Sequence, residues 1–179
     1  MKLTNIYAET PGLLEHSLRV FFFVRQVIDY LPDGLILRKQ AEDILFAALL
    51  HDIGKATWSD QWFSLPRHSI RNVDWTVMQT HPIQSVNIIK SLGIPVTVDV
   101  QKLISGHHER PGKKGYPNQI EPDFAQIVLA AADVFCACTE NRTYRSYPMD
   151  TNQAIIEVAS FAPTMVLDSL RFAAKQMAA

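Results

Sequence analysis

Cysteine is almost absent from these 179 residues: there are two, Cys136 and Cys138. Thiols at i and i+2 point to different faces of a helix, so they neither bridge easily nor share a metal. They read as small core residues in a reducing compartment. Long apolar runs are missing too. The longest, ILFAALL over residues 44–50, falls far short of a membrane span. The opening MKLTNIYAET lacks the apolar core of a secretion signal. A cytoplasmic protein without membrane attachment is therefore expected. Nor is there an excess of charge of either sign, since 17 Lys and Arg stand against 18 Asp and Glu. The dispersed basic residues exclude the broad positive field that a nucleic acid polymer requires, so an anionic ligand must be held by a local site. Period-2 alternation is missing as well. PVTVDVQKLI is the one strand-like patch, and helix is preferred there.

What is present is helical pattern in a chain that is 47% hydrophobic. The length fits one domain over 1–179, since domains run roughly 100–200 residues. Over residues 13–31, Leu13, Val20, Val24, Val27 and Leu31 recur at helical spacing, and His16 lies on the same stripe. Residues 38–50 are rich in helix formers and run into HDIGK, where Gly54 reads as a stop. Further helices are expected over 74–92, 97–107, 123–140 and 150–174. The fold class is all-α, a bundle of about six or seven helices.

Several polar residues sit where such a bundle should be apolar. His51 and Asp52 end ILFAALL, and His81 ends WTVMQT. His107 and His108 follow QKLISG, and Asp133 lies inside VLAAADVFCA. One inward histidine is ordinarily a hydrogen-bonded core residue. Five of the six histidines with two aspartates point to a common cause, because a buried carboxylate needs a partner. Metal coordination is that cause. Imidazole and carboxylate ligands suit iron, manganese, zinc or nickel rather than calcium. Seven ligands (His16, His51, Asp52, His81, His107, His108 and Asp133) are too many for one tetrahedral ion and suit a pair bridged by a carboxylate such as Asp52. Two metals roughly 3.5–4 Å apart are a standard device for phosphoester hydrolysis. Lys55, three residues after Asp52, can face the same site and stabilise or protonate a leaving oxygen.

The ordered set HDIGK, HP, HHE, GYP, ADVF and NRTYR resembles the HD-GYP subgroup of the HD-domain metal-dependent phosphohydrolases. The similarity runs from about His16 to Arg145. It implies an HD-domain helical bundle with a binuclear or trinuclear centre, most often of iron or manganese. It implies hydrolysis of cyclic di-GMP to linear pGpG, in some members on to GMP. By position, His16, His51, Asp52, His81, His107, His108 and Asp133 match the family's metal ligands, and Lys55 its catalytic lysine. Tyr116 matches the residue that contacts a guanine, which its ring can meet by stacking or edge contact. Arg142 and Arg145 match the residues that hold the ligand's phosphates, where guanidinium groups offer bidentate donors.

The chain departs from the family in several places. Gly112 and Lys113 replace the Asp-Gly pair that usually precedes GYP, so Lys113 becomes a candidate substrate-binding residue. Cys136 replaces a second aspartate, and Gly12 stands where three-metal members carry a glutamate. Both changes argue for two divalent ions. Trp58, Trp62 and Phe63 follow HDIGK in place of the usual Ile-Pro stretch. Two other readings stay open: a broader phosphohydrolase acting on nucleotides or other phosphoesters, and a non-catalytic receptor for cyclic di-GMP. A signalling protein docking on the GYP surface and self-association are compatible with both.

Overall fold

The computed structural model describes residues 2–141 and 147–178. Among the described residues there are nine α-helices and no strand. They are α1 (Leu3–Glu9), α2 (Leu13–Tyr30), α3 (Arg38–Leu50), α4 (Asn72–Met78), α5 (His81–Ser91), α6 (Val98–Gly106), α7 (Phe124–Thr139), α8 (Thr151–Ala159) and α9 (Thr164–Ala178). Short 3-10 turns at Ile53–Thr57, Asp60–Phe63, Arg67–Ser69 and Pro111–Lys113 punctuate the two longest connections. The all-α expectation holds, and PVTVDVQKLI is helical from Val98. None of the described helices is long and apolar enough to cross a membrane.

Helix α2 lies at the centre and packs on α3, α7 and α9. Its buried stripe is the expected one, with Val20, Phe23, Val24 and Val27 essentially inaccessible. The Phe23 ring meets Phe135 of α7 at 4.9 Å between centroids. Helix α7 is buried nearly all round, from Val128 to Asp133 without a break and again at Phe135 and Cys136. Such a helix must lie inside the bundle. Its start is fixed by a reciprocal capping box between Asp123 and Gln126.

Two expected helices are each broken in two. Residues 74–92 divide into α4 and α5, because Pro82 in the first turn of α5 has no N–H to continue a helix from α4. Residues 150–174 divide at Pro163, which α9 follows directly. Helix α1 carries no capping side chain and was not expected. It is docked by the Tyr7 hydroxyl, which donates to the Leu49 carbonyl at the end of α3. Burial there pushes the phenol up to about 12.

Gly54 is not a helix stop. It lies within the 3-10 turn Ile53–Thr57 that packs against α5. A Cβ at this position would lie 2.1 Å from the His81 carbonyl oxygen and 2.7 Å from the Ser85 amide. Both are backbone atoms, so the clash cannot be relieved by a rotamer change. The substitution Gly54→Ala is expected to cost about 1–3 kcal/mol or more. A urea denaturation midpoint unchanged in this variant would show that the turn and α5 can separate freely.

Candidate metal centre

The seven residues picked out as ligands converge from the ends of three helices and from within two more. His51 caps α3, His81 opens α5, and His107 caps α6, while His16 and Asp133 lie within α2 and α7. All are buried except His108, which is half-buried. Their donor atoms form two groups, each within 4.8 Å: His16, His51, Asp52 and Asp133 in one, and Asp52, His81, His107 and His108 in the other. Asp52 belongs to both. Its Oδ2 lies 3.5 Å from His16 Nε2 and 3.3 Å from His51 Nε2. Its Oδ1 lies 3.1 Å from His81 Nε2 and 3.7 Å from His107 Nε2. Each oxygen therefore faces a different group.

Backbone carbonyls at helix ends set the imidazoles. The last four carbonyls of an α-helix have no intrahelical amide. His51 Nδ1 donates to the Ala48 carbonyl at 2.8 Å, His81 Nδ1 to Met78 at 2.8 Å, and His107 Nδ1 to Ile104 at 2.6 Å. A carbonyl only accepts, so each Nδ1 carries the hydrogen, and each ring in its neutral form presents an Nε2 lone pair inward. The Met78 carbonyl is the one that Pro82 cannot satisfy. The HP dipeptide thus frees an acceptor and places the donor that takes it. Ser85 joins the pieces: its hydroxyl accepts from Gly54 N–H at 2.9 Å and lies 2.6 Å from the His51 carbonyl and 2.9 Å from that of His81.

The resulting cluster can hold a cation. His81 Nε2 and His107 Nε2 are 3.3 Å apart. With both Nδ1 atoms protonated, two lone pairs face each other, an arrangement that a shared positive charge would stabilise. Among the described residues, His51 Nε2 and Asp52 Oδ1 are buried without a hydrogen-bond partner. The donor set, nitrogen and oxygen without sulfur, fits divalent transition metals.

The electrostatics agree. Burial opposes the charged form of Asp52, yet His51 and Lys55 hold its carboxyl well below the usual range. Asp133 is held low in the same way by His16 and His51. Burial also lowers His51, but the Asp52 and Asp133 carboxylates outweigh it and push the imidazole up to about 10, so this ring carries an Nε2 proton that a bound cation would replace. Burial and neighbouring imidazoles drive His107 and His108 well below the ordinary value, keeping both neutral.

The other expected site residues divide. Lys55 reaches in, with its ammonium bonded to Asp52 Oδ2. Tyr116 stacks on His108, at 4.6 Å between centroids and 26° between planes. Both line a cleft of about 950 Å³ above the cluster, together with His16, Asp52, His81, His108 and Asp133. Lys113 is exposed and does not line that cleft. Arg142 and Arg145 lie outside the described residues.

Two carboxylates were missed. Glu109, 1% exposed, accepts from the amides of Asn118 at 2.8 Å and Ile120 at 3.1 Å, which folds the GYP loop back over the histidines. Gly115 allows the fold-back, since a Cβ there would lie 2.3 Å from the His108 carbonyl and 2.4 Å from Glu109 Cα. Glu140, at the end of α7, has both oxygens 3.0 Å from His16 Nδ1, while His16 Nε2 is 3.0 Å from Asp133 Oδ1. His16 thus has a carboxylate where the other three have carbonyls. Glu109 had a signal in its place between HH and GYP. Glu140 had none, because it caps a helix end with no apolar pattern around it.

Comparison with known proteins places this geometry. The HD domain family matches residues 13–138. A 3'3'-cGAMP-specific phosphodiesterase 2 of Vibrio cholerae is 29% identical over 113 residues, which is 62% of this chain and 22% of that protein. A cyclic di-GMP phosphodiesterase of Thermotoga maritima is 28% identical over 123 residues, 67% of this chain and 33% of that protein. The chain thus spans a third or less of the length of these curated relatives. An HDG"Y"P protein of Bdellovibrio bacteriovorus superposes with a TM-score of 0.70 at 17% identity, over 98% of this chain and 55% of that one, which shows a shared fold.

Glu140→Ala is expected to weaken metal binding about 10- to 100-fold, because an outer carboxylate orients a ligating imidazole. Glu140→Gln, which keeps an acceptor, should lose less. Competition with a chromogenic chelator measures both, and equal affinity in all three proteins would reduce Glu140 to a surface charge.

Proposed function

This chain belongs to the HD domain family, and from that premise we propose that it is a metal-dependent phosphodiesterase of the HD-GYP type that opens a cyclic dinucleotide, cyclic di-GMP, to linear pGpG. The observation that carries this reading is Asp52, whose two oxygens face two separate ligand groups at the floor of one cleft. Such an arrangement suits a binuclear centre of iron or manganese, with zinc or nickel as alternatives. Ions held there would polarise the phosphate and make an attacking water nucleophilic near neutral pH.

The protein's own groups account for the remaining demands of the reaction. Lys55 stands at the cleft with its side chain 18% exposed, ion-paired to a carboxylate that is 1% exposed. Its ammonium is therefore held in place yet open to a ligand, and it can donate a proton to the departing ribose oxygen. His81 and His107 are fixed by the carbonyls behind them, so they need no reorganisation when charge develops. Tyr116, backed by His108, offers an aromatic ring to a purine.

The relatives widen the choice of substrate within this class. One is named for 3'3'-cGAMP and another for cyclic di-GMP, so a mixed purine cyclic dinucleotide is the second substrate to assay. A non-catalytic receptor fits less well with a complete ligand set and a lysine at the cleft.

Anaerobic purification with iron or manganese is expected to yield about two ions per chain and conversion of cyclic di-GMP to pGpG. Asp52→Ala should lose both the metals and the turnover. Lys55→Met should keep the metals while kcat falls about 10²- to 10⁴-fold. Metal counting and chromatography of the products decide it. Two ions with cleavage of other phosphoesters, but of no cyclic dinucleotide, would make the protein a broader hydrolase.

A further inference from the structure

All three tryptophans of this chain, Trp58, Trp62 and Trp75, line the same cleft. Phe63 lines it too. None of the four is in the core, and each is half-buried. The fully buried aromatics, Phe23 and Phe135, lie elsewhere, between α2 and α7.

Three of these rings form a connected wall, and Trp75 lines the same cleft. Trp58 lies 6.4 Å from Trp62, edge to face, and 5.5 Å from Phe63. The wall is also tied to the reacting groups. Trp58 meets His81 edge-on at 5.5 Å, and Lys55 Nζ sits over the Trp58 ring at 5.4 Å. Tyr116 approaches the same imidazole at 6.4 Å, also edge to face. His81 therefore has an aromatic group from the segment after HDIGK and an aromatic group from the GYP loop as neighbours. The cleft they share, about 950 Å³, lies at the upper end of the range for small-molecule sites, which is about 300–1,000 Å³.

We propose that Trp58, Trp62, Phe63 and Trp75 form a second base-stacking subsite, distinct from Tyr116, so that the cleft holds one ligand by two purine rings. This rests on the reading of the cleft as a cyclic-dinucleotide site. A purine offers a π-face to an indole whatever its ring substituents, and stacking tolerates different bases. A site with two aromatic poles would favour a ligand with two bases over a mononucleotide, through effective concentration as well as contact. The competing explanation is that the rings only pack a connection built from 3-10 turns. In that case their loss would destabilise residues 53–73 without discriminating between ligands.

The metal-loaded protein is titrated by calorimetry with a phosphorothioate analogue of cyclic di-GMP, which resists hydrolysis, and separately with GMP. Wild type, Trp62→Ala, Trp75→Ala and Trp62→Phe are compared, with metal content and thermal midpoint measured on the same samples. The expected result is a loss of about 5- to 100-fold in affinity for the dinucleotide in each alanine variant, with GMP affinity within about twofold. Trp62→Phe, which keeps a ring, should recover most of the loss. Equal losses for the two ligands, or no loss for either, would overturn the subsite while leaving the phosphodiesterase reading intact. Failure of the wild type to bind the dinucleotide analogue would overturn both.

Discussion

A fully buried carboxylate organises this protein. Asp52 is 1% exposed and sits where α3 ends, beneath the cleft. An isolated carboxylate in that setting costs several kcal/mol or more. Its burial is tolerated because Lys55 meets Oδ2 and because a cation held among the imidazoles would meet both oxygens. Lys55 and the imidazoles of His16 and His51 are on the Oδ2 side, and those of His81 and His107 are on the Oδ1 side. These partners come from α2, α3, α5, α6 and the turn after α3. The requirement to satisfy Asp52 therefore links most of the bundle, and packing of α2 against α3 and α7 supplies the frame that holds them.

The second constraint is the orientation of the imidazoles. A buried histidine that ligates a cation must present one nitrogen as a lone pair and occupy the other. Here the same solution is used three times, with a carbonyl from the last turn of the preceding helix accepting from Nδ1. These carbonyls would otherwise be unpaired, so helix termination and ligand orientation are satisfied by one bond. His16 cannot use this device because it lies inside α2, where the carbonyls are taken by the helix. It uses Glu140 instead. A side-chain acceptor adds negative charge behind the ring, which a carbonyl does less strongly.

This explains what the sequence made legible and what it hid. The seven ligand candidates were readable because polar residues interrupted apolar helical runs, and a buried charge needs company. Helix extents for α2, α3, α6 and α7 followed from periodicity and caps. The break at Pro82 was signalled by the proline itself, but the strong helical pattern on both sides masked it. Gly54 looked like a stop by residue type, while its purpose is the close approach of two backbones. Ser85 gave no signal, since a serine on a helix is ordinary until its three backbone partners are in place. Glu140 lay beyond the apolar pattern of α7. Long-range partners of this kind, 124 residues apart in the case of His16 and Glu140, follow from topology and not from local sequence.

The molecule also separates chemistry from recognition. The ligand groups sit on helix ends fixed by backbone bonds and buried among close-packed side chains, where small displacements are costly. The groups proposed to face a ligand's bases sit on the two irregular connections, 53–73 and 109–121, and, for Trp75, on α4. Each of these connections also touches a candidate ligand through an aromatic ring: Trp58 against His81, and Tyr116 on His108. Away from Gly54, Lys55, Glu109 and Gly115, which are tied to the frame, such segments can change with little effect on the histidines, because their regular structure is limited to short 3-10 turns. The departures from the HD-GYP pattern at Trp58 to Phe63 and at Gly112 to Lys114 fall in these two connections. The seven candidate ligands keep the pattern, while the departures at Gly12 and Cys136 lie at the start of α2 and within α7.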